Sequence, residues 1–206
     1  NWKIGENHCQ LYTIADAEFV PALCGSRINY DKYSTDKTKF SVGFASPIGQ
    51  LLNCNHIYSQ YVFIEDVQKA MQKLESKRSR LQSLSAYSRE NFISKESTDA
   101  FLNEAISEQR LPVKAHFNLL AWSDNKEELK TIRNLCSSAL TQMDATPKLE
   151  TEGAAQIWWA GIPGNAADFP MNDTFNNFSP QACCFFNLET NYRSRVSPIG
   201  IRLGDR

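Results

Sequence analysis

The chain has 206 residues, of which 42% are hydrophobic and 22% are charged, with a formal net charge of -1. This composition is typical of a globular protein and excludes a disordered or fibrous chain. The balanced charge excludes a general attraction to DNA or to an anionic membrane, so any nucleic-acid role requires a local basic patch. No apolar run approaches the ~20 residues that span a bilayer.

The first third of the chain is predicted to be rich in β-strands. Residues 9–16 alternate weakly between apolar and polar side chains. Two apolar stretches, residues 40–45 and 57–64, lie on either side of a predicted turn at Pro47 and Gly49.

Two charged helices are predicted to follow. Apolar residues recur at helical spacing over residues 67–84, and a second helical stretch covers residues 95–109, with Pro112 as its expected end. Because neither glycine nor proline separates the two stretches, we expect a long helical hairpin or a projecting arm.

A β–α unit is predicted next. Residues 113–122 read as a buried strand, and Asp124, with Glu127 three residues later, has the spacing of a capping box. The following helix carries a regular apolar face that consists of Leu129, Ile132, Leu135, Cys136, Ala139, Leu140 and Met143.

The remainder begins with a possible short strand and a second helix around residues 154–161. Pro163 restricts φ and Gly164 tolerates positive φ, so residues 162–165 are predicted to form a tight turn that ends this helix. Residues 182–186 and 200–203 are predicted to be strands.

The order of these elements predicts an α+β fold with a β-rich start, a long charged helical pair, a β–α unit and an irregular segment that returns to strands. We assign residues 1–150 to an α+β domain with a helical insertion at about residues 65–110. Residues 151–206 form a second segment that carries the tryptophan pair, the turn and the last strands.

The motifs of a nucleotide motor are absent from the sequence. None of the nine glycines precedes a lysine, and no G-x-G-x-x-G occurs. Since a triphosphate needs such a cradle, we identify no catalytic residue and no cofactor-binding residue in this chain.

The cysteines and histidines allow two interpretations. Six cysteines and the sequons at Asn172 and Asn177 would fit a secreted protein, but Cys136 and Cys183-Cys184 lie in apolar patterns typical of reduced core thiols in a cytosolic protein. His8-Cys9 and Cys54-Asn55-His56 are the close Cys/His pairs, and no C-x-x-C is present, so no metal site is expected. A Cys/His-dependent enzyme remains an alternative.

The helix at residues 69–80 is rich in Lys and Arg. It would suit single-stranded nucleic acid, but only Tyr87 and Phe92 supply nearby aromatic rings for base stacking. A solvated face is the simpler interpretation, with docking to a protein as its competitor.

Trp158 and Trp159 are adjacent, and neighbouring residues on a helix point about 100° apart. We therefore expect one ring to be buried while the other borders a groove or an interface.

The second half of the chain carries an ordered set of motifs. The turn Pro163-Gly164-Asn165 precedes Phe186-Asn187, which is followed by Pro198, Gly200, Asp205 and Arg206. This set, with the preceding β–α unit, resembles the TraG family of Bacteroidetes conjugative transposons, which is related to the ATPases that power type IV secretion in conjugation. The match is best over the last quarter of the chain.

The resemblance implies a non-catalytic assembly and docking domain that precedes the ATPase domain of a conjugative transfer protein. The start at Asn1 and the end at Arg206 then fit a piece excised where the motor begins, with ATP and Mg²⁺ bound downstream. Implied partners are inner-membrane components of the mating channel, with self-association of the full-length protein, and the implied location is cytoplasmic, peripheral at the inner membrane. Nucleic acid is not an expected partner of this piece. The candidate interface residues are Trp158, Trp159, Pro163, Gly164, Asn165, Gly200, Asp205 and Arg206.

Overall fold

A computed structural model describes residues 2–21, 24–25 and 43–187 and confirms the α+β fold class. The strands are β1 (Trp2–Ile4), β2 (Asn7–Ile14), β3 (Asn55–Phe63), β4 (Pro112–Ser123), β5 (Lys148–Glu150) and β6 (Phe175–Phe178). The helices are α1 (Ser46–Leu51), α2 (Val67–Leu84), α3 (Arg89–Ser107), α4 (Glu128–Thr141), α5 (Ala154–Ala160) and α6 (Ser179–Cys184). Short 3-10 turns cover Ala17–Phe19, Ala166–Asp168 and Met171–Asp173.

The described strands form one antiparallel sheet organised around β4. On one edge β4 pairs with β3 along nearly its whole length, and on the other edge it pairs with β2 and then with β6. β1 and β5 pair with the outer edge of β2. β6 therefore lies end to end with β2, which brings a strand from the second predicted segment into the sheet of the first. The proposed division at residue 150 stays a prediction.

Strand β4 is buried on both faces, as its continuous apolar run predicts. Ala115, Phe117 and Leu119 point into a core shared with α1, α4 and α6, which we call the helical face. Leu120 points to the opposite face, which packs against α5 and Phe169 and which we call the α5 face. Because side chains alternate along a strand, the two faces draw on alternate residues of the same short segment.

Phenylalanine rings pack on one another in the core of the helical face. The rings of Phe117 and Phe185 lie parallel at 4.4 Å, and Phe44 meets Phe185 edge-on at 5.4 Å. The predicted apolar face of α4 is confirmed, since six of its seven residues are buried and the seventh, Leu135, is partly buried against the same core.

Helices α2 and α3 form the predicted hairpin, which we call the arm. Arg78 of α2 reaches Asp99 of α3 at 3.7 Å and Glu75 of its own helix at 2.9 Å, so the ion pairs help to join the two helices. At the base of the arm, Phe101 stacks on Phe178 of β6 at 4.2 Å, and the Arg110 guanidinium lies 5.9 Å above the same ring.

Two predicted features near residues 40–50 and 182–186 are wrong. The turn at Pro47 and Gly49 is the helix α1, in which a proline at the first turn starts the helix because its missing N–H needs no partner there. Phe44 and Ala45 precede that helix rather than ending a strand, and residues 40–42 lie outside the described residues.

The predicted strand at residues 182–186 is α6 and the turn after it. This conformation places the Phe185 ring on Phe117 and lets the Phe185 carbonyl oxygen accept hydrogen bonds from the Tyr58 hydroxyl at 3.1 Å and from the Gln60 amide. The tertiary contacts therefore override the strand propensity of a Cys/Phe run. The predicted strand at residues 200–203 lies outside the described residues.

The capping box at Asp124 is also wrong, because α4 begins at Glu128. The turn before it is held by Ser123, whose hydroxyl accepts from the Asn125 N–H at 3.1 Å and donates to the Glu128 carboxylate at 2.7 Å.

The second arm helix is also longer than predicted at its start. It ends at Ser107, near Gln109 with φ 51, so Pro112 opens β4 rather than closing α3.

The stacked pair at the base of the arm generates a test. We expect Phe101→Ala to cost about 2 to 3 kcal/mol and to lower hydrogen-exchange protection in α2 and α3 more than in β2 and β4, since it removes the ring that stacks on Phe178. The matched control is Phe92→Ala, because Phe92 is an exposed ring on the same helix and its loss should change stability by less than about 0.5 kcal/mol. Equal effects of the two variants would contradict this account of how the arm is anchored.

Candidate docking surface

The candidate surface is built on α5 and the loop that follows it. The helix ends at Ala160, and the Asn165 N–H donates to the Ile162 carbonyl oxygen at 3.0 Å across a turn in which Gly164 has φ 100. The predicted tight turn is therefore present. Gly161 lies in a tight space, since a Cβ there would be 3.2 Å from the Trp158 carbonyl oxygen and 3.3 Å from the Tyr61 hydroxyl.

The two tryptophans of α5 have different environments. Trp158 is partly buried in the core of the α5 face and meets Trp2 edge-on, with ring centroids 5.9 Å apart. Trp159 is 49% exposed, yet its indole Nε1 donates a hydrogen bond to the Asp168 carboxylate at 3.0 Å. A large ring is thus held in one orientation while much of its surface faces solvent.

The loop after the turn is pinned to the sheet by Phe169. Its buried ring lies 4.3 Å from the Tyr61 ring, 5.6 Å from Phe63 and 4.8 Å from His116. His116 adds a hydrogen bond, because its Nδ1 lies 2.7 Å from the Asp173 carbonyl oxygen and must carry the proton to donate to it. Strands β3 and β4 therefore fix the loop that carries Asp168.

The electrostatics of this anchor depend on burial. His116 is fully buried, and desolvation lowers its pKa despite the hydrogen bond and the nearby charge of Asp173, which act in the opposite direction. Glu150 lies on the same side, and although burial raises its pKa, hydrogen bonds from the Gly153 and Thr151 N–H groups outweigh that effect and lower it. The anchor thus combines the neutral imidazole of His116 with the nearby ionised carboxylate of Glu150.

The structure brings together part of the predicted interface set. Trp158, Trp159, Pro163, Gly164 and Asn165 lie within one helix and turn, and Pro163 and Gly164 are exposed. Gly200, Asp205 and Arg206 lie outside the described residues.

Sequence reasoning missed the residues that hold this surface, namely Asp168, Phe169 and His116. A histidine inside the apolar run of residues 113–122 was the available signal, because a polar ring in a strand buried on both faces needs a partner.

The Cys/His pairs differ in their surroundings. His8 and Cys9 follow each other on β2, so their side chains point to opposite faces of the sheet. Cys54 and His56 are two residues apart, and His56 Nδ1 lies 2.9 Å from the Cys54 carbonyl oxygen. Within the part of the chain that the structure describes, no group of three or more His, Cys, Asp or Glu side chains is arranged to hold a metal ion.

The basic residues of α2 lie along one face of the arm. Lys69, Lys73, Lys77 and Arg80 line a shallow, open surface groove with Gln72 and Ser76. Glu65 lies 3.5 Å from Lys73, and no described carboxylate pairs with the other three cations.

None of the helices in the described ranges is both long and apolar enough to cross a bilayer. A scan against protein-family models found no match to this chain, and a search of curated proteins found none either.

The unequal environments of the two tryptophans lead to a prediction. Trp158→Ala should lower the free energy of unfolding by about 2 to 3 kcal/mol, because it opens a gap beside Trp2, whereas Trp159→Ala should cost less than about 1 kcal/mol. Urea unfolding followed by circular dichroism measures both. Equal and severe destabilisation would show that both rings belong to the core.

The buried histidine predicts acid sensitivity. The folded pKa of His116 lies below the ordinary 6.5, so below pH 6.5 the unfolded chain binds a proton that the folded chain resists. Stability should therefore be retained above pH 6.5 and fall as the pH decreases, by at most about 1.4 kcal/mol per pH unit from this group.

The control for this prediction is His116→Asn, which keeps a donor for the Asp173 carbonyl oxygen but cannot be protonated. Urea unfolding of both proteins at pH 7.5, 6.0 and 5.0 isolates the contribution of His116 as the difference between their slopes. Identical slopes would mean that the imidazole is not kept neutral by the fold.

Proposed function

We propose that this chain is a non-catalytic assembly and docking domain of a conjugative transfer ATPase of the type IV secretion class. The observation that carries the docking role is the half-exposed Trp159, whose indole is held by Asp168. The conjugative assignment rests on the resemblance of residues 158–206 to the TraG family.

An anchored, exposed tryptophan suits a binding surface for physical reasons. Tryptophan is enriched among the residues that dominate binding energy, and a side chain that is already ordered loses less entropy when a partner covers it. Trp159 meets both conditions, because the hydrogen bond to Asp168 restricts the ring and the loop beneath it is fixed by Phe169.

The arm supports the same role. It has exposed apolar side chains around the turn that joins its two helices, including Tyr87, which is 86% exposed, and the exposed Leu84 and Ile93. Exposed apolar residues that form a patch are typical of contact surfaces between proteins.

Under this proposal the partners are inner-membrane components of the mating channel, and the full-length protein self-associates. The chain then works in the cytoplasm, peripheral at the inner membrane through those partners. ATP and Mg²⁺ belong to a motor domain encoded beyond Arg206, and this chain itself holds no nucleotide.

A second candidate function is single-stranded nucleic-acid binding by the arm. Three cations of α2 without a described acidic partner, with the exposed Tyr87 beyond the end of that helix, favour it. A Cys/His-dependent enzyme is the other alternative, and the Cys54–His56 pair is the site that it would use.

The docking role predicts a loss of transfer without a loss of fold. Trp159→Ala in the full-length protein should weaken channel binding about 30-fold, as expected for about 2 kcal/mol at a central tryptophan, and should lower the transfer frequency of donor cells. The matched control is Leu51→Ala, which truncates an exposed apolar side chain on α1, on the other side of the sheet.

The measurement is transfer frequency together with co-purification of the inner-membrane channel subunits, at equal protein levels. Normal transfer and co-purification by Trp159→Ala would contradict the docking role.

The 206-residue chain should neither bind nor hydrolyse ATP, and its natural coding sequence should continue into a Gly-Lys-Ser/Thr loop. Saturable, salt-sensitive binding of single-stranded DNA at low micromolar concentration would instead favour the second candidate.

A further inference from the structure

Two cysteines that are distant in sequence meet on the helical face of the sheet. Cys54 lies immediately before β3, and Cys136 lies on the buried face of α4. Both contribute to the same core cluster, Cys136 fully buried and Cys54 partly exposed, and the two thiols are close enough for each to shift the pKa of the other. Neither is part of the docking surface.

His56 completes this site. It lies on β3 two residues after Cys54, and its Nδ1 is 2.9 Å from the Cys54 carbonyl oxygen. The imidazole is close enough to the Cys54 thiol for each to shift the pKa of the other. A thiol at the edge of the core thus faces a buried thiol on one side and an imidazole on the other.

The surroundings favour the thiolate of Cys54. The neighbouring Cys136 thiol lowers the pKa of Cys54 well below its ordinary value, burial opposes this, and His56 lowers the pKa further. The same contact with Cys54 raises the pKa of Cys136 and of His56. Two other titratable groups nearby are Tyr12 of β2 and Arg133 of α4. Burial is the largest effect on Tyr12, and because it raises the pKa of the phenol, Tyr12 stays neutral.

Three other thiols contrast with Cys54. Burial raises the pKa of Cys9, Cys24 and Cys184, which leaves them protonated near neutral pH. Since the thiolate is the form that reacts with peroxides and alkylating agents, reactivity should be concentrated at Cys54.

We propose that Cys54 is an oxidation site for peroxides and that Cys136 resolves its oxidised form into an intramolecular disulfide. The Cys54 thiolate attacks one oxygen of the peroxide, the O–O bond breaks, and a sulfenic acid forms on Cys54. With hydrogen peroxide, the leaving hydroxide takes a proton from the His56 imidazolium and becomes water.

The Cys136 sulfur then attacks the sulfenic sulfur, an S–S bond forms, and the S–O bond breaks. The departing hydroxide combines with the proton of the Cys136 thiol to give a second water. Two thiols are oxidised, one peroxide is reduced, and the disulfide joins the start of β3 to α4. The closed loop contains the whole arm and β4, so the disulfide would restrict a long segment of the unfolded chain.

The experiment treats the 206-residue chain with hydrogen peroxide in slight excess. We expect a mass loss of two hydrogen atoms and a single cross-linked peptide pair that contains Cys54 and Cys136. Cys136→Ser should stop at a sulfenic acid on Cys54 that dimedone traps, and Cys54→Ser should give neither product. Cys183→Ser is the matched control, because it removes an exposed thiol outside this site and should leave the disulfide unchanged.

Alkylation gives an independent readout that does not need the cysteine variants. An ordinary thiol reacts about 10-fold more slowly for each pH unit below its pKa, whereas Cys54 should react with iodoacetamide at nearly constant rate from pH 8 to pH 6.5. His56→Asn should restore a steeper pH dependence. The proposal is overturned if Cys54 labels no faster than Cys183, or if peroxide pairs either cysteine with another partner.

Discussion

Burial of β4 on both faces is the constraint on which the rest of the structure depends. Its odd-numbered residues from Val113 to Ala121 pack under α1, α4 and α6, while Leu120 packs under α5. A polar side chain in a strand covered on both sides is costly to bury unless it is hydrogen-bonded, because water is excluded. His116 donates from Nδ1 to the Asp173 carbonyl oxygen, while its Nε2 has no partner among the described residues. The Nδ1 bond fixes the loop on which the candidate docking surface is built.

The docking surface is therefore a consequence of the core beneath it. Phe169 fills the space between β3 and β4, so Asp168, one residue earlier, is placed where it can accept the Trp159 indole N–H. The oxidation site proposed for Cys54 lies at the other end of β3, on the helical face. The two sites share the sheet but no residues.

The pattern of apolar residues within short segments predicted several elements of the fold correctly. The apolar face of α4 and the two arm helices were predicted from helical spacing, and β4 was predicted from its continuous apolar run. Predictions failed where local signals conflicted with distant contacts. Pro47 and Gly49 read as a turn but begin α1 and lie within it, and the Cys/Phe run at residues 182–186 reads as a strand but forms a helix and turn that place Phe185 on Phe117. Of the candidate surface, the sequence indicated Trp158, Trp159 and the Pro163-Gly164 turn, but not the residues that hold them.

By itself the sequence determined the α+β class, the helical arm, the tight turn after α5 and the absence of a phosphate-binding motif, because each depends on residue types at short spacing. Only the tertiary structure decided which tryptophan is exposed, that His116 anchors a loop 57 residues away, and that Cys54 meets Cys136. Those features depend on how β2, β3 and β4 align. Contacts between residues far apart in the chain leave no periodic trace in it.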